Sequence, residues 1–423
     1  MKLTPQPRSI RTMRLVACLA ATSMLFAACS PAAPTTGSKQ ADIVATAAVQ
    51  TLTAIPKATA SQAALEPTAT LPPTATTAPT AVPPTATPSF AVVASGPTNF
   101  PANINPLTGL QVADPTILNR RPVLIKVSNW PAVVRPQSGL SSADIVFEYY
   151  IGEGMNRFVG LFYGQNAAKV GSIRSGRLVD AQLGPLYQAV LASSGAYVTV
   201  ENAIDKALGN RVINEGSGAC PMFCRDDKIS SPNNLFADTS KVTEYAQTHG
   251  ADPKTKQNLD GMAFNPAVPT TGKAAQQLTV QINDTDRGGW TYDAVSGAYL
   301  RSIENIDAKN NLTMVPLADA NTKKQLAFNN VVVIYATYTE LAPTMNNIAL
   351  SQAGVGGKAV LFRDGKAIEG TWKSQGPTSP LTFFGADGKP MPFKPGNSWF
   401  ALMGIHSQTT EKDGVWQVIF NLP

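Results

Sequence analysis

The chain has 423 residues, room for two or three domains at roughly 150 residues each. Hydrophobic residues make up 43%, enough for a sizeable core, while charged residues make up 15% against roughly 25% in an average globular domain. Two histidines exclude a three-histidine metal site, and a four-cysteine zinc site would need Cys18, inside the segment that export removes.

Lys2, Arg8, Arg11 and Arg14 form a positive start with no acidic residue, and Leu15 to Ala28 follow as a mostly apolar run. Fourteen residues are too few for a membrane-spanning helix, which needs about 20. They suit the hydrophobic region of a secretory signal peptide over 1–28. The run ends in Leu25-Phe26-Ala27-Ala28-Cys29, which resembles a bacterial lipobox with Phe26 at the usual leucine position. Cys29 would then carry a diacylglyceryl group on sulfur and become the new N-terminus. Ordinary signal-peptidase cleavage, with Cys29 incidental, is the alternative. Two or three acyl chains anchor a protein stably where one does not. Removing 1–28 takes the formal net charge from +6 to +2, and the rest holds no basic run. A nucleic-acid partner is therefore not expected. The expected location is the outer face of the cytoplasmic membrane, with the bilayer as partner through acylated Cys29.

From 29 to 104 the composition turns to Ala, Thr and Pro. Within Glu66–Pro88, 20 of 23 residues are one of these three. Such a segment buries too little apolar surface to offset its ordering entropy, so a disordered linker is expected. Seventy such residues span roughly 200 Å as extended polyproline II, or about 50 Å as a flexible coil.

A first domain is expected over 105–270. Pro122-Val-Leu-Ile-Lys-Val-Ser128 reads as a buried strand, with further strands at Asp144–Tyr150, Phe158–Tyr163 and Gln188–Ser193. Leu178–Leu183, Asn202–Leu208 and Asn234–Gln247 read as helical. A second, strand-rich domain is expected over 271–423. Ala359–Arg363 and Lys366–Trp372 flank Asp364-Gly365, whose residues take the positive φ angles of a type I′ hairpin at low cost. Asp387-Gly388 sits between Leu381–Phe384 and Met391–Phe393, and Ser398–Leu402 and Trp416–Phe420 complete a small meander. The fold class expected is α+β, a mixed α/β N-terminal domain followed by a β-meander C-terminal domain.

Arg121-Pro-Val-Leu-Ile-Lys-Val-Ser-Asn129, Arg135-Pro-Gln-Ser-Gly-Leu140, Ala143-Asp-Ile-Val-Phe-Glu148, Arg157-Phe158 and Val170-Gly-Ser-Ile-Arg-Ser-Gly-Arg177 resemble the YerB-like family of bacterial lipoproteins. Asp364-Gly-Lys-Ala-Ile-Glu-Gly-Thr-Trp372 and Pro395-Gly-Asn-Ser-Trp399 extend the resemblance, which spans about 106–402. It implies an extracytoplasmic lipoprotein with paired N- and C-terminal domains of unknown function, and brings no catalytic residues. This chain has Ser172-Ile173, Gly176 and Asn233 where relatives are expected to carry Pro-Val, Ala and His.

Arg174 and Arg177, set among Ser172, Ser175 and Gly176 before a helix, suit a phosphate or carboxylate cradle. Arg225 and Asn234 are candidates to complete it. The commoner use of such arginines is to brace a domain by pairing with Asp144, Glu148 or Asp180. Glu148 and Glu153 are the best carboxylate pair for a hydrolase, since retaining and inverting glycosidases need a pair about 5–9.5 Å apart, and the alternative is a surface ion pair of Glu153 with Arg157. Ser193-Ser194-Gly195 lacks the first glycine of a nucleophile elbow. Cys220 and Cys224 are either a disulfide staple, the favoured reading outside the cytoplasm, or free thiols. Gly354-Val-Gly-Gly357 precedes a strand and is no dinucleotide fingerprint. Trp372, Trp399 and Phe400 read as core rather than as sugar platforms. No metal and no cofactor are expected. The function expected is non-catalytic binding of an anionic cell-envelope component, such as a wall polymer. The alternatives are a cell-wall hydrolase or transferase using Glu148 or Glu153, and a scaffold for another envelope protein.

Overall fold

The structure is a computed structural model that describes residues 94–422. The segment expected to be a signal peptide, Cys29 and the expected linker as far as residue 93 lie outside those residues.

The element at 123–128, β1 (Val123–Ser128), is buried at every position, as its β-branched run requires. It pairs antiparallel with β3 (Met155–Phe162), which pairs antiparallel with β2 (Ile145–Gly152). On its other side β1 pairs in parallel with β4 (Val190–Ser193), and β4 with β5 (Val212–Asn214). Helix α1 (Asp180–Leu186) precedes β4, and α2 (Val198–Leu208) follows it. Val200, Ile204 and Leu208 recur every fourth residue along α2 and form its buried face. Helix α3 (Thr239–Thr248) starts at Asp238, whose carboxylate accepts from the backbone N–H groups of Ser240 and Lys241. That cap starts the helix at Thr239 rather than at Asn234, because Leu235–Ala237 is taken as a strand.

The second half contributes to the same sheet. Strands β6 (Lys273–Ala274), β7 (Gln277–Asn283), β8 (Asp286–Asp293), β9 (Ala298–Ile306), β10 (Leu312–Pro316), β11 (Asn330–Ala336), β12 (Gly356–Arg363), β13 (Lys366–Lys373), β14 (Thr382–Gly385) and β15 (Ser398–Gly404) follow in order. Strand β15 lies between β11 and β2 and runs parallel to both, with Ile145 opposite Ser398 and Tyr149 opposite Leu402. One eleven-stranded mixed sheet therefore reads β6-β13-β12-β11-β15-β2-β3-β1-β4-β5, with β14 on β13. A seven-stranded sheet orders β10-β9-β8-β7-β17-β16, where β16 is Gln408–Lys412, β17 is Val415–Ile419, and Ala327–Phe328 pairs with β9.

The fold is thus α+β and strand-rich. The C-terminal strands do not stay together as a meander: they divide between the two sheets. A meander needs only neighbour-to-neighbour pairing, whereas β15 finds edges contributed by strands far from it in the chain. The Asp364-Gly365 turn holds its hairpin, with φ of 52° and 70° and Arg363 opposite Lys366. Thr382–Gly385 pairs with β13 on one side and, across the Asp387-Gly388 turn, bridges to Pro390 through Phe384, with Met391 N–H donating to the Phe383 carbonyl at 2.9 Å, while Pro392–Phe393 pairs with Ala263–Phe264. A further Asp-Gly turn, Asp413-Gly414, joins β16 to β17. Trp372, Trp399 and Phe400 are fully buried in the core.

The register decides which side chains meet. Residues opposite one another in antiparallel strands share a face, and neighbours along a strand alternate. Arg157 lies opposite both Tyr149 and Ser128, and Val159 lies opposite Lys126. Lys126, Tyr149 and Arg157 therefore share one face of the sheet. Glu148 and Asn156 occupy the other.

Candidate functional site

The loop at 174–177 is tied down at the C-terminal ends of the parallel strands. Arg174 N–H donates to the Lys126 carbonyl at 3.1 Å, Ser194 N–H to the Arg174 carbonyl at 3.2 Å, and Gly176 N–H to the Gly195 carbonyl at 2.9 Å. Asp180, the first residue of α1, accepts from the Arg177 N–H at 2.6 Å. Ligand sites of open α/β sheets sit beyond strand C-termini of this kind. The N-terminus of α2 adjoins the loop, and no side chain caps it.

Four cations converge here. Lys126 is fully buried and pairs with Asp180 at 2.9 Å. The same carboxylate accepts from the Tyr149 hydroxyl at 3.0 Å. Arg157 is only 6% exposed, and its Nη1 donates to the Asn156 carbonyl at 3.0 Å. Arg177 Nη1 donates to the Gly176 carbonyl at 2.9 Å. The Nε atoms of Arg157, Arg174 and Arg177 are all buried without a partner. Among the described residues, no carboxylate forms an ion pair with any of these three guanidiniums.

The electrostatics carry the mark of this crowding. Burial, then the charges of Arg177 and Arg174, push the Arg157 guanidinium down to about 10. Arg174 is lowered by burial and by Arg177. Arg177 is lowered by burial, opposed by Asp180. Burial lowers the Lys126 ammonium to about 8, against the pull of Asp180 and with the push of Arg177 and Arg157. Four positive groups thus face Asp180, which already serves Lys126 and Tyr149, with Asp286 the other carboxylate acting on Arg157. Such a site favours an incoming anion.

The bracing partners named for Arg174 and Arg177 are engaged elsewhere. Asp144 accepts from the Asn105 side chain at 2.8 Å and from the Tyr163 and Gly164 N–H groups. Burial raises its carboxyl to about 6. Glu148 pairs with Arg301 at 3.3 Å.

Arg225 and Asn234 do not join the cluster by their side chains. Arg225 Nη1 donates to Asn234 Oδ1 at 2.6 Å, and its Nη2 pairs with Glu215 at 2.5 Å. The carboxylate pair is likewise corrected. Both Glu148 oxygens are occupied, by the Asn156 side chain at 2.6 Å and the Trp399 indole N–H at 2.8 Å, with Arg301 shared. Glu148 sits at 2% exposure, away from bulk solvent. Glu153 is exposed on the β2–β3 turn, at φ of 52°. Cys220 and Cys224 are joined by a disulfide. Among the described residues no group of three or more His, Cys, Asp or Glu is placed to hold a metal ion, and no helix is long and apolar enough to cross a membrane.

Lys126 and Arg157 are the members that the sequence names only as motif residues and not as site candidates. The signal for Lys126 was present: a charge in the middle of a wholly buried strand whose other residues, Ser128 apart, are apolar. A lysine in that position needs a partner or a task.

Comparison with known proteins places the chain. Residues 107–252 match the N-terminal domain model "Protein of unknown function (DUF3048)", and residues 278–400 match the corresponding C-terminal domain model. The Bacillus subtilis (strain 168) protein named "Putative lipoprotein YerB" is 29% identical over 307 residues, covering 70% of this chain and 85% of that protein. The crystal structure of YerB from Bacillus subtilis superposes with a TM-score of 0.57 at 27% identity, covering 71% of this chain and 96% of the other. The chain belongs to the YerB-like family, with both of its domains present.

Proposed function

We propose that this protein is a lipid-anchored extracytoplasmic binding protein, and that Arg157, Arg174, Arg177 and Lys126 hold a phosphate or carboxylate of a cell-envelope component. The observation that carries the reading is the set of three partly buried guanidiniums with no carboxylate of their own. Uncompensated buried charge is costly in a fold and is kept where a ligand supplies the counter-charge. The α2 N-terminus adds a favourable dipole at the same place. The anchoring part rests on the basic start, the short apolar run and Cys29, together with the name of the Bacillus relative.

The direct test is co-sedimentation or calorimetry with two purified polymers, poly(glycerol phosphate) and polygalacturonate. The two separate phosphodiester from carboxylate recognition. Arg174→Ala weakens binding of the preferred polymer by about tenfold or more, since a hydrogen bond to a charged group contributes about 1.5–3 kcal/mol. Its thermal unfolding stays near that of the parent, because Arg174 braces nothing. Unchanged affinity for both polymers sinks the reading.

Lys126 gives a pH signature. An anion beside it favours the protonated ammonium, so above pH 8 binding draws in a proton. Affinity is flat below pH 8 and falls as pH rises through the value of about 8 toward 10.5. The bases and acids facing Lys126 are Arg157, Arg177, Asp180 and Tyr149. Lys126→Met removes the slope in that window. A slope that persists in this variant assigns the titration to another group.

A further inference from the structure

The chain has 5 tryptophans, and Trp290, Trp372, Trp399 and Trp416 are at most 2% exposed. Trp130 is different. It is half-buried and lines a cavity of about 400 Å³. The cavity lies between the segment just past β1 and the strands β9 and β10 of the other sheet. Its volume falls in the small-ligand range of roughly 300–1,000 Å³.

The charges around it are already matched. Arg135 Nη2 pairs with Glu304 at 2.7 Å, its Nη1 donates to the Glu304 carbonyl at 3.1 Å, and its Nε donates to the Asn129 carbonyl at 3.0 Å. The second Glu304 oxygen accepts from the Arg287 N–H at 3.0 Å. A charged ligand would find no free counter-charge here, so the fitting occupant is neutral. Ile306, Val315, Pro316 and Leu317 supply apolar lining, and the exposed Asn305 supplies a carboxamide. An aromatic face, a few aliphatic side chains and one amide match a ring that is apolar on its faces and polar at its edges.

We infer that this cavity binds a neutral N-acetylated amino sugar, with the pyranose ring against the Trp130 indole. The acetamido methyl meets the aliphatic lining, and the acetamido N–H and carbonyl pair with Asn305. The site shares no residue with the arginine cluster, so it stands or falls independently of the anion reading.

The four other indoles are sealed in the core, so tryptophan emission reports ligand arrival at Trp130 alone. The experiment titrates the full chain with tetra-N-acetylchitotetraose, and in parallel with cellotetraose and decaproline. The expected result is a saturable blue shift with the N-acetylated oligomer, at an affinity about tenfold or more above that for cellotetraose. The shift is absent in Trp130→Phe and unchanged in Arg174→Ala. Asn305→Ala, at an exposed position that tolerates truncation, weakens binding about fivefold by calorimetry, the loss of one neutral hydrogen bond. The inference is overturned by no saturable change up to about 10 mM oligomer, a concentration well above a weak Kd of ~1 mM. It is equally overturned by an equal response to cellotetraose, a response to decaproline alone, or a shift that survives in Trp130→Phe.

Discussion

Replacing Arg301 by leucine lowers the free energy of unfolding by about 3–5 kcal/mol, because it leaves a buried carboxylate without its partner. Arg301 is fully buried on β9, its guanidinium 4.2 Å from the Trp290 ring centre and 4.9 Å from that of Trp399. Glu148 on β2 faces it, and the Trp399 indole on β15 donates to the same carboxylate. One ion pair therefore ties together strands drawn from both halves of the chain and both large sheets. Space for it is made by Gly288, where an added Cβ would come within 2.2 Å of Arg301 Nη1. The urea midpoint of Arg301→Leu measures the loss. Glu148→Leu with Arg301→Leu recovers much of it, since an apolar pair of similar shape leaves no orphan charge. The deficit of the single variant also shrinks as pH falls. Burial already raises the Glu148 carboxyl above its ordinary value, and removing Arg301 raises it further, so acidification favours the folded, protonated form. A single variant that unfolds at the parental urea concentration disproves the role given to this pair.

Arg157→Met moves stability and binding in opposite directions. Arg157 is almost wholly buried with an unpartnered Nε, and its guanidinium is held down to about 10 by burial and by Arg177 and Arg174. A side chain of that kind opposes folding. Methionine keeps the bulk and removes the charge, so the variant is more stable than its parent by about 1–3 kcal/mol. The same change removes a charge-assisted contact to the ligand, and affinity for the anionic polymer falls by about tenfold to a hundredfold. Thermal unfolding and calorimetry on the same samples give both numbers. If Arg157 were a structural brace, the variant would be less stable, and that outcome removes Arg157 from the site.

How much of this was readable beforehand differs by residue. Arg174 and Arg177 stand three apart in one glycine- and serine-rich loop, so their candidacy follows from local sequence. Arg157 and Lys126 join them only through strand register, with Arg157 opposite Ser128 and Tyr149 in neighbouring strands. Glu148 looked like an acid because it lies near Glu153 in the chain. Its real partners are Arg301 and Trp399, 153 and 251 residues away. Arg225 and Asn234, read as completing the arginine pocket, contact one another instead, and Glu215 takes the guanidinium that was assigned to the ligand.

From the chain alone come the buried strand at 122–128 and the Asp364-Gly365 hairpin, together with the basic start, short apolar run and Ala/Thr/Pro composition on which the proposed export and anchoring rest. Each is a short-range matter of composition, side-chain period or turn geometry, and needs no distant partner. The insertion of β15 between β2 and β11, the split of the C-terminal strands over two sheets, the meeting of four cations and the cavity beside Trp130 came from tertiary packing. These depend on which remote edges and faces fit together, and strand pairing is decided by that fit rather than by any local preference.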